Sequence, residues 1–178
     1  MVPSADKPLG RLTTLLAGLQ AGMVAVLAML AWMGLSAAWQ QRSFWTSENL
    51  LATTFYGGRT LQGGFSTSTV SGLALYLLVY STLGCLFALA AGGKLRKTTL
   101  LLAGIVIGLG WYYVSFRFLW KSVSPLVSLL HPVRPTIFGH LIYGVMVARF
   151  PHYFPGNGPT PGEPLVEKAS VPSGVSEG

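Results

Sequence analysis

The side chain with the clearest chemical potential is His140, the only histidine inside an apolar segment. Tyr143 and Gly144 follow it at spacings that share one helical face. A buried imidazole of this kind either hydrogen-bonds to a neighbouring helix or serves as an axial ligand for haem or a pigment. His131 and His152 are nine and twelve residues away, too far to supply a second axial ligand at the same depth. We therefore predict the hydrogen bond and no cofactor, with haem or a pigment on His140 as the alternative.

Two further hydroxyls belong to the same prediction. Tyr76 and Tyr80 stand one helical turn apart in another apolar segment, so both can reach toward a neighbouring helix. Hydrogen bonds between such side chains are common where apolar helices pack. We predict an intramembrane polar cluster made of His140, Tyr143, Tyr76 and Tyr80.

Glu48 and Arg117 form the second candidate site. Glu48 follows Thr46 and Ser47 in a pattern that predicts the first turn of a short helix, where the helix dipole favours an anion. Arg117 lies in an aromatic stretch that is typical of an arginine snorkelling to a membrane surface. The functional alternative is a buried ion pair between them, or a site for an anion or a lipid head group.

Most catalytic arrangements are missing from the sequence. No aspartate or glutamate occurs between Glu48 and Glu163, which removes carboxylate pairs and the intramembrane carboxylate of coupled transporters. The single cysteine, Cys85, lies in an apolar run, so an intrachain disulfide and a cysteine-based metal site are excluded. The sequence has no phosphate-binding glycine loop, no zinc-binding HExxH pattern and no nucleophile elbow. We expect a protein without catalytic activity.

The elements that must position these residues are membrane-spanning helices. Of the 178 residues, 51% are hydrophobic and only 10% are charged, a composition that a water-soluble core could not bury. The predicted fold is all-α, a polytopic membrane bundle of four helices at about residues 12–39, 66–91, 98–120 and 133–149. Each of the first three exceeds the roughly 20 residues that a span needs. The fourth is short, and the alternative is three spans with one half-inserted helix.

The boundaries of the second span carry specific signals. Ser66 and the serines and threonines after it can cap a helix start, and Gly92 and Gly93 are typical of a helix end. Small residues recur every four positions within three of the spans, which favours close approach of helix backbones: Gly18 and Gly22, Gly84, Ala88 and Gly92, and Gly104 and Gly108.

The segments between and beyond the spans are also interpretable. We predict a short helix lying flat at the membrane surface in the first external loop, with Phe44, Leu51, Ala52 and Phe55 on one face. Residues 1–10 are predicted to be a polar cytoplasmic segment, and residues 151–178, rich in proline and acidic residues, a disordered tail. Four tryptophans are predicted to anchor the helices at the two membrane surfaces: Trp39, Trp45, Trp111 and Trp120.

The distribution of lysine and arginine predicts the orientation. One side of the predicted bundle carries Lys7, Arg11, Lys94, Arg96, Lys97, Arg149 and Lys168, and the other carries Arg42, Arg59, Arg117, Lys121 and Arg134. The denser side contains the shortest loop and is expected to face the cytoplasm, together with both termini. Because the basic residues flank apolar runs, the net charge of +7 does not indicate a nucleic-acid partner.

Two short motifs resemble a known class of proteins. They are Ser43-Phe44-Trp45 with Asn49-Leu50-Leu51-Ala52-Thr53-Thr54, and Gly139-His140-Leu141-Ile142-Tyr143-Gly144. Both are similar to uncharacterised bacterial four-helix inner-membrane proteins that carry domain-of-unknown-function labels. The resemblance covers about residues 12–150. It implies a bacterial inner membrane and a four-helix architecture, and it implies no activity.

These observations together favour a non-catalytic integral membrane protein that is structural or an accessory subunit of a membrane complex. Its expected partners are the lipid bilayer and other membrane subunits. The first alternative is a small channel or a carrier of lipids or small molecules. The second is a haem- or pigment-binding subunit that uses His140.

Overall fold

The computed structural model describes residues 6–92 and 95–154, with side chains from Gly10 onward in those ranges. The predicted disordered tail therefore lies outside the described residues from residue 155, as do residues 1–5 and two positions of the predicted short loop, Gly93 and Lys94. Within the described ranges every regular element is helical. They are α1 (Asp6–Trp39), α2 (Thr46–Tyr56), a 3₁₀ segment (Gly57–Gln62), α3 (Thr67–Ala91), α4 (Lys97–Val114), a π-helical segment (Ser115–Leu119), α5 (Trp120–Val123), α6 (Pro125–Leu130), α7 (Val133–Val147) and a second 3₁₀ segment (Phe150–Tyr153).

Three of these helices are long and apolar enough to cross a membrane. They cover Gly10–Trp39, Thr67–Ala91 and Lys97–Val123, close to the first three predicted spans. The main differences are that α1 begins at Asp6, within the predicted polar cytoplasmic segment, and that the third helix continues to Val123. The chain is thus all-helical with three long apolar helices in the part that the structure describes.

The fourth predicted span is a real helix but a short one. Its 15 residues correspond to a length of about 22 Å, less than the roughly 30 Å of a bilayer's hydrocarbon core. Pro132 precedes its first residue and takes the N-cap position. Since α7 alone falls short of a full crossing, the long spanning helices number three.

The ends of α3 are set by local sequence. Ser66 and Thr69 form a capping box, in which the backbone N–H of Ser66 donates to the Thr69 hydroxyl at 2.9 Å. Gly92 adopts the left-handed conformation, with φ of 57°, and its N–H donates to the carbonyl of Ala88. Glycine takes up this conformation without strain, so the predicted stop signal is confirmed.

Helices α3 and α7 both pack against α1, and α4 packs mainly against α7. The contacts are backbone to backbone at glycines. A Cβ atom on Gly18 would lie 2.8 Å from the carbonyl oxygen of Gly84, and one on Gly104 would overlap the carbonyl oxygen of Gly144. The predicted small-residue stripes therefore lie where helices touch, except at Gly92, which ends α3 and has no neighbour within 4 Å.

Two apolar cores fill the molecule. The larger lies between α1, α3, α4 and α7 and includes Val26, Met29, Phe87, Val147 and Phe150. The smaller joins α2 to the end of the third long helix through Leu50, Leu51, Trp120 and Val127. The residues between the third and fourth predicted spans contribute α6 and most of α5, and these helices supply Trp120 and Val127 to this second core.

The contact between α4 and α7 yields a test with an internal control. Gly104→Ala would drive a methyl group into the backbone of α7, and we expect it to lower the free energy of unfolding by about 1–3 kcal/mol. Gly110, two turns further along α4, has open space around it, so Gly110→Ala should leave stability unchanged or raise it by up to about 1 kcal/mol. Unfolding of the purified variants in detergent measures both, and equal effects would contradict the packing described here.

Candidate functional site

The first candidate site lies where α3 and α7 face each other across α1. Tyr80 points from α3, and His140 and Tyr143 point from α7, and all three are buried. Gly139 lets α7 approach α1, since a Cβ there would lie 3.0 Å from the side chain of Met29. The shared packing on α1 thus brings together residues that are 60 or more positions apart in sequence.

The hydrogen bonds of this cluster define the state of His140. Its Nδ1 lies 2.7 Å from the carbonyl oxygen of Thr136, which can only accept, so Nδ1 carries the proton. Nε2 then accepts a hydrogen bond of 2.7 Å from the Tyr80 hydroxyl. The Tyr143 hydroxyl donates to the backbone carbonyl of Tyr80, also at 2.7 Å. This is the arrangement of a neutral imidazole, and both of its nitrogens have partners.

Aromatic rings enclose the imidazole. The ring of Tyr112 lies 5.3 Å from that of His140, and Phe116 stacks on His131 at 4.0 Å. The Tyr112 hydroxyl also lies 3.5 Å from Nε2 of His131. The cluster therefore extends along α4 to the start of α7.

Of the four residues predicted for this cluster, three are joined by hydrogen bonds. Tyr76 contributes a ring contact, with its centroid 5.9 Å from that of Tyr80. Sequence reasoning missed Thr136, Tyr112 and Phe116. The i−4 carbonyl of Thr136 is an ordinary partner for a helical histidine, and that spacing was a usable signal.

The haem or pigment alternative for His140 does not fit this geometry. An axial ligand needs a free ring nitrogen and open space beside it, whereas Nε2 is occupied by Tyr80 and the side chain is only 2% exposed. Within the described residues there is also no group of three histidine, cysteine or acidic side chains placed to hold a metal ion.

The second candidate site is Glu48, on α2. Its side chain is only 2% exposed, and its Oε2 has no hydrogen-bond partner. Desolvation raises the pKa of this carboxyl from 4.5 to about 7, while a backbone hydrogen bond partly opposes the shift. The carboxyl is therefore enclosed within the bundle and is not exposed on the outer side of α2.

Close packing of α2 on α3 buries this carboxyl. A Cβ atom on Gly72 would overlap the backbone carbonyl of Glu48, so only glycine fits at this position of α3. Tyr76, one turn further along α3, lies within electrostatic range of the carboxyl. The site is thus an acid enclosed between two helices and a phenol ring.

Asn49 holds the neighbouring loop in place and was not predicted as a site residue. Its Nδ2 donates to the carbonyls of Gly63 and Gly64 at 2.9 and 3.1 Å, and its Oδ1 accepts from the Thr69 hydroxyl at 2.6 Å. The Thr60 hydroxyl donates to the Asn49 carbonyl. These bonds tie α2, the 3₁₀ segment and the start of α3 into one unit.

The orientation of α2 differs from the prediction. Leu51 and Ala52 are buried as expected, but Phe55 is 58% exposed and Phe44 packs over Gly34 of α1. Neither Thr46 nor Ser47 caps the helix, since Trp45 holds the N-cap position without a side-chain bond. Helix α2 turns its polar first turn, with Glu48 and Asn49, inward because Gly72 allows the backbones to touch.

The alternative in which Glu48 pairs with Arg117 is not found among the described residues. Arg117 is exposed on the π-helical segment, and no ion pair joins it to the buried carboxyl. Burial would strip water from the guanidinium at a cost of several kcal/mol, so the exposed position is the less costly one.

The four predicted tryptophan anchors divide into different environments. Trp39 is 91% exposed and suits an anchor, and Trp45 lies half-buried against Phe44 and Phe65. Trp111 packs partly against the larger core. Trp120, at 7% exposure, belongs to the smaller core and is not an outward-facing anchor, because α6 and α2 cover it.

The fold and the sites define a class: an all-helical protein with three helices able to cross a membrane and two buried polar sites. Comparison of the chain with protein-family models, curated proteins and solved structures found no match. The argument for function therefore rests on the geometry of the chain itself.

The hydrogen bond between Tyr80 and His140 predicts a specific loss of stability. Tyr80→Phe keeps the ring but leaves Nε2 of a buried imidazole without a donor, and we expect a loss of about 1–2 kcal/mol in the free energy of unfolding. Tyr113→Phe removes a hydroxyl from an exposed ring on α4 and should change stability by less than about 0.5 kcal/mol. Equal values for the two variants would show that the buried bond contributes nothing.

Glu48 predicts a dependence of stability on pH. Because the raised pKa means that the folded state holds the proton more tightly, wild-type stability falls as pH rises from 4.5 to about 7 and is then constant. A shift of this size corresponds to about 3 kcal/mol. Glu48→Gln stays neutral, so the stability of the variant relative to wild type should rise by up to that amount across this window. The contribution of histidine titration is the same in both proteins and cancels in this comparison. A stability difference between Glu48→Gln and wild type that does not change with pH would refute the raised pKa of Glu48.

Proposed function

We propose that this chain is a non-catalytic, multi-pass protein of the bacterial inner membrane that serves as a structural or accessory subunit of a membrane assembly. The observation that carries the proposal is the closed hydrogen bonding of Tyr80, His140 and Tyr143. Polar groups that satisfy one another inside a bundle hold helices together. The O–H and ring N–H donors of this cluster are all used within the bundle, so none is free for a substrate.

A four-crossing topology is part of the proposal. Helix α7 is followed by a short turn and the 3₁₀ segment Phe150–Tyr153, with Phe150 fully buried in the larger core. Laid end to end, these segments measure about 30 Å, the thickness that a crossing needs. With an even number of crossings, both termini lie on the same side. The denser lysine and arginine side supports placing that side in the cytoplasm.

The lack of a catalytic site is supported by the charges. Glu48 is the only acidic residue whose side chain lies in the described part of the chain, and it is enclosed without a second carboxylate. Acid–base and metal-assisted chemistry both need groups that converge on an open space. Such convergence is missing at both candidate sites.

The subunit role is supported by the outer face of α4. Less of this helix is buried within the molecule than of α1. Leu102 and Val106 on it, and Phe118 on the π-helical segment that continues it, are strongly exposed. In a bilayer, this apolar face is free to contact lipid or a helix of another subunit.

Purification from the native membrane in a mild detergent tests this proposal. We expect a co-purifying membrane protein at fixed stoichiometry and no visible absorption band. Val106→Trp on the outer face of α4 should release the partner, whereas Leu78→Trp, equally exposed on α3, should not. A monomer without partner, or equal behaviour of the two variants, would end the subunit role, and a visible band would contradict the absence of a cofactor.

A small-molecule carrier is the second candidate, and one observation favours it. Glu48 keeps an unpaired oxygen beside Tyr76, an arrangement that can accept a proton or a polar ligand. Reconstituted vesicles should then show a flux that Glu48→Gln abolishes and Arg117→Ala leaves intact. No flux across a broad panel of solutes would exclude this function.

A further inference from the structure

A cleft of about 560 Å³ opens between the start of α4 and the end of α7, and none of its lining residues belongs to either site described above. Its mouth carries three basic side chains, Lys97, Arg149 and His152, all of them exposed. Its wall is apolar and includes Leu101 and Val145. The cleft thus joins a positively charged rim to an apolar groove.

The cleft results from how α4 and α7 cross. Their backbones touch at Gly104 and Gly144, and the small side chain of Ala148 fills the next turn. Beyond that point the chain leaves α7 for the 3₁₀ segment, and Phe150 anchors this segment in the core. Phe150 thereby fixes the positions of its neighbours Arg149 and His152, which face outward beside Lys97.

Among the side chains that the structure describes, from Gly10 onward, no carboxylate balances these charges. Glu48, the one acidic side chain described, lies on α2 at the opposite end of the molecule. The first backbone N–H groups of α4 add positive potential at the same rim, because Arg96 holds the N-cap position without a side-chain bond. An anion that reaches this rim meets two permanent positive charges and free donors.

We propose that this cleft binds the phosphate of an anionic phospholipid, with Lys97 and Arg149 on the head group and an acyl chain along Leu101 and Val145. A basic pocket between membrane helices, on the side rich in lysine and arginine, is the usual form of such a site. The inference rests on the proposed membrane location. It adds a ligand that neither candidate site provides.

The test measures binding of phosphatidylglycerol to the full-length protein, relative to phosphatidylcholine, by native mass spectrometry. Neutralising two cations of the rim in Lys97→Gln/Arg149→Gln should weaken phosphatidylglycerol binding by about tenfold or more. The matched control, Lys121→Gln/Arg134→Gln, removes the same charge at the other end of the molecule and should stay within about twofold of wild type. Equal losses of phosphatidylglycerol binding in both double variants would show that only the net charge of the protein matters, and would contradict the proposed site.

Two competitors separate the phospholipid from other anions. Inorganic phosphate and soluble glycerophosphoglycerol share the head-group chemistry but lack acyl chains, so they should compete only at far higher concentration. Competition at concentrations similar to the lipid would assign the cleft to a free anion. The acidic tail is the other candidate occupant, so the triple substitution Glu163→Gln, Glu167→Gln and Glu177→Gln should leave lipid binding unchanged. A tenfold gain, on the order of two charge contacts, would assign the cleft to the tail.

Membrane integration is checked separately. Both double variants should remain in the membrane fraction after alkaline carbonate extraction and unfold at the same temperature as wild type. Extraction of the wild-type protein would defeat the proposed function itself. A protein that stays in the membrane yet shows no preference for phosphatidylglycerol would defeat only the lipid site.

Discussion

Backbone contact between helices at glycine is the constraint on which the rest of this structure depends. Gly18 and Gly84 join α1 to α3, Gly104 and Gly144 join α4 to α7, and Gly72 receives α2. Apolar side chains alone fix neither the rotation nor the depth of one apolar helix against another. Contacts that admit no Cβ atom fix both, because a shift in either direction brings side chains into collision.

The two buried polar sites respond differently to that packing. His140 meets a donor and an acceptor at ideal distances, so its burial costs little and binds α3 to α7. Glu48 is just as buried, yet one of its oxygens has no partner, and desolvation raises its pKa to about 7. Both ring nitrogens of His140 are thus hydrogen-bonded, whereas Glu48 keeps one carboxyl oxygen without a partner and has a pKa near neutral pH. A carboxyl of this kind is a common feature of functional sites, which is why a carrier remains the second candidate.

The errors of the sequence interpretation have a common cause. The Glu48–Arg117 pair, the outward Trp120 and the apolar face of α2 all required knowing which way a helix faces. The helical repeat changes after Val114, where the π-helical segment begins; Arg117 on this segment is exposed, and Trp120 directly after it lies in the smaller core. A π-helical turn inserts a residue into the helical repeat. Side-chain directions predicted with a constant repeat of about 3.6 residues per turn are therefore wrong for residues after the π-helical turn.

The sequence by itself determined the elements of this protein and their ends. Apolar length placed three long helices, and the capping box of Ser66 and Thr69 with Gly92 set the limits of α3 to within a residue, because these signals act over one turn of chain. It also singled out His140, Tyr143 and Tyr80 as unusual polar residues in apolar segments. Only the tertiary structure decided that Tyr80 donates to His140, that Glu48 is enclosed beneath Gly72, and that Lys97 and Arg149 share one cleft. Those arrangements join residues tens of positions apart, and they depend on helix crossings that no local pattern encodes.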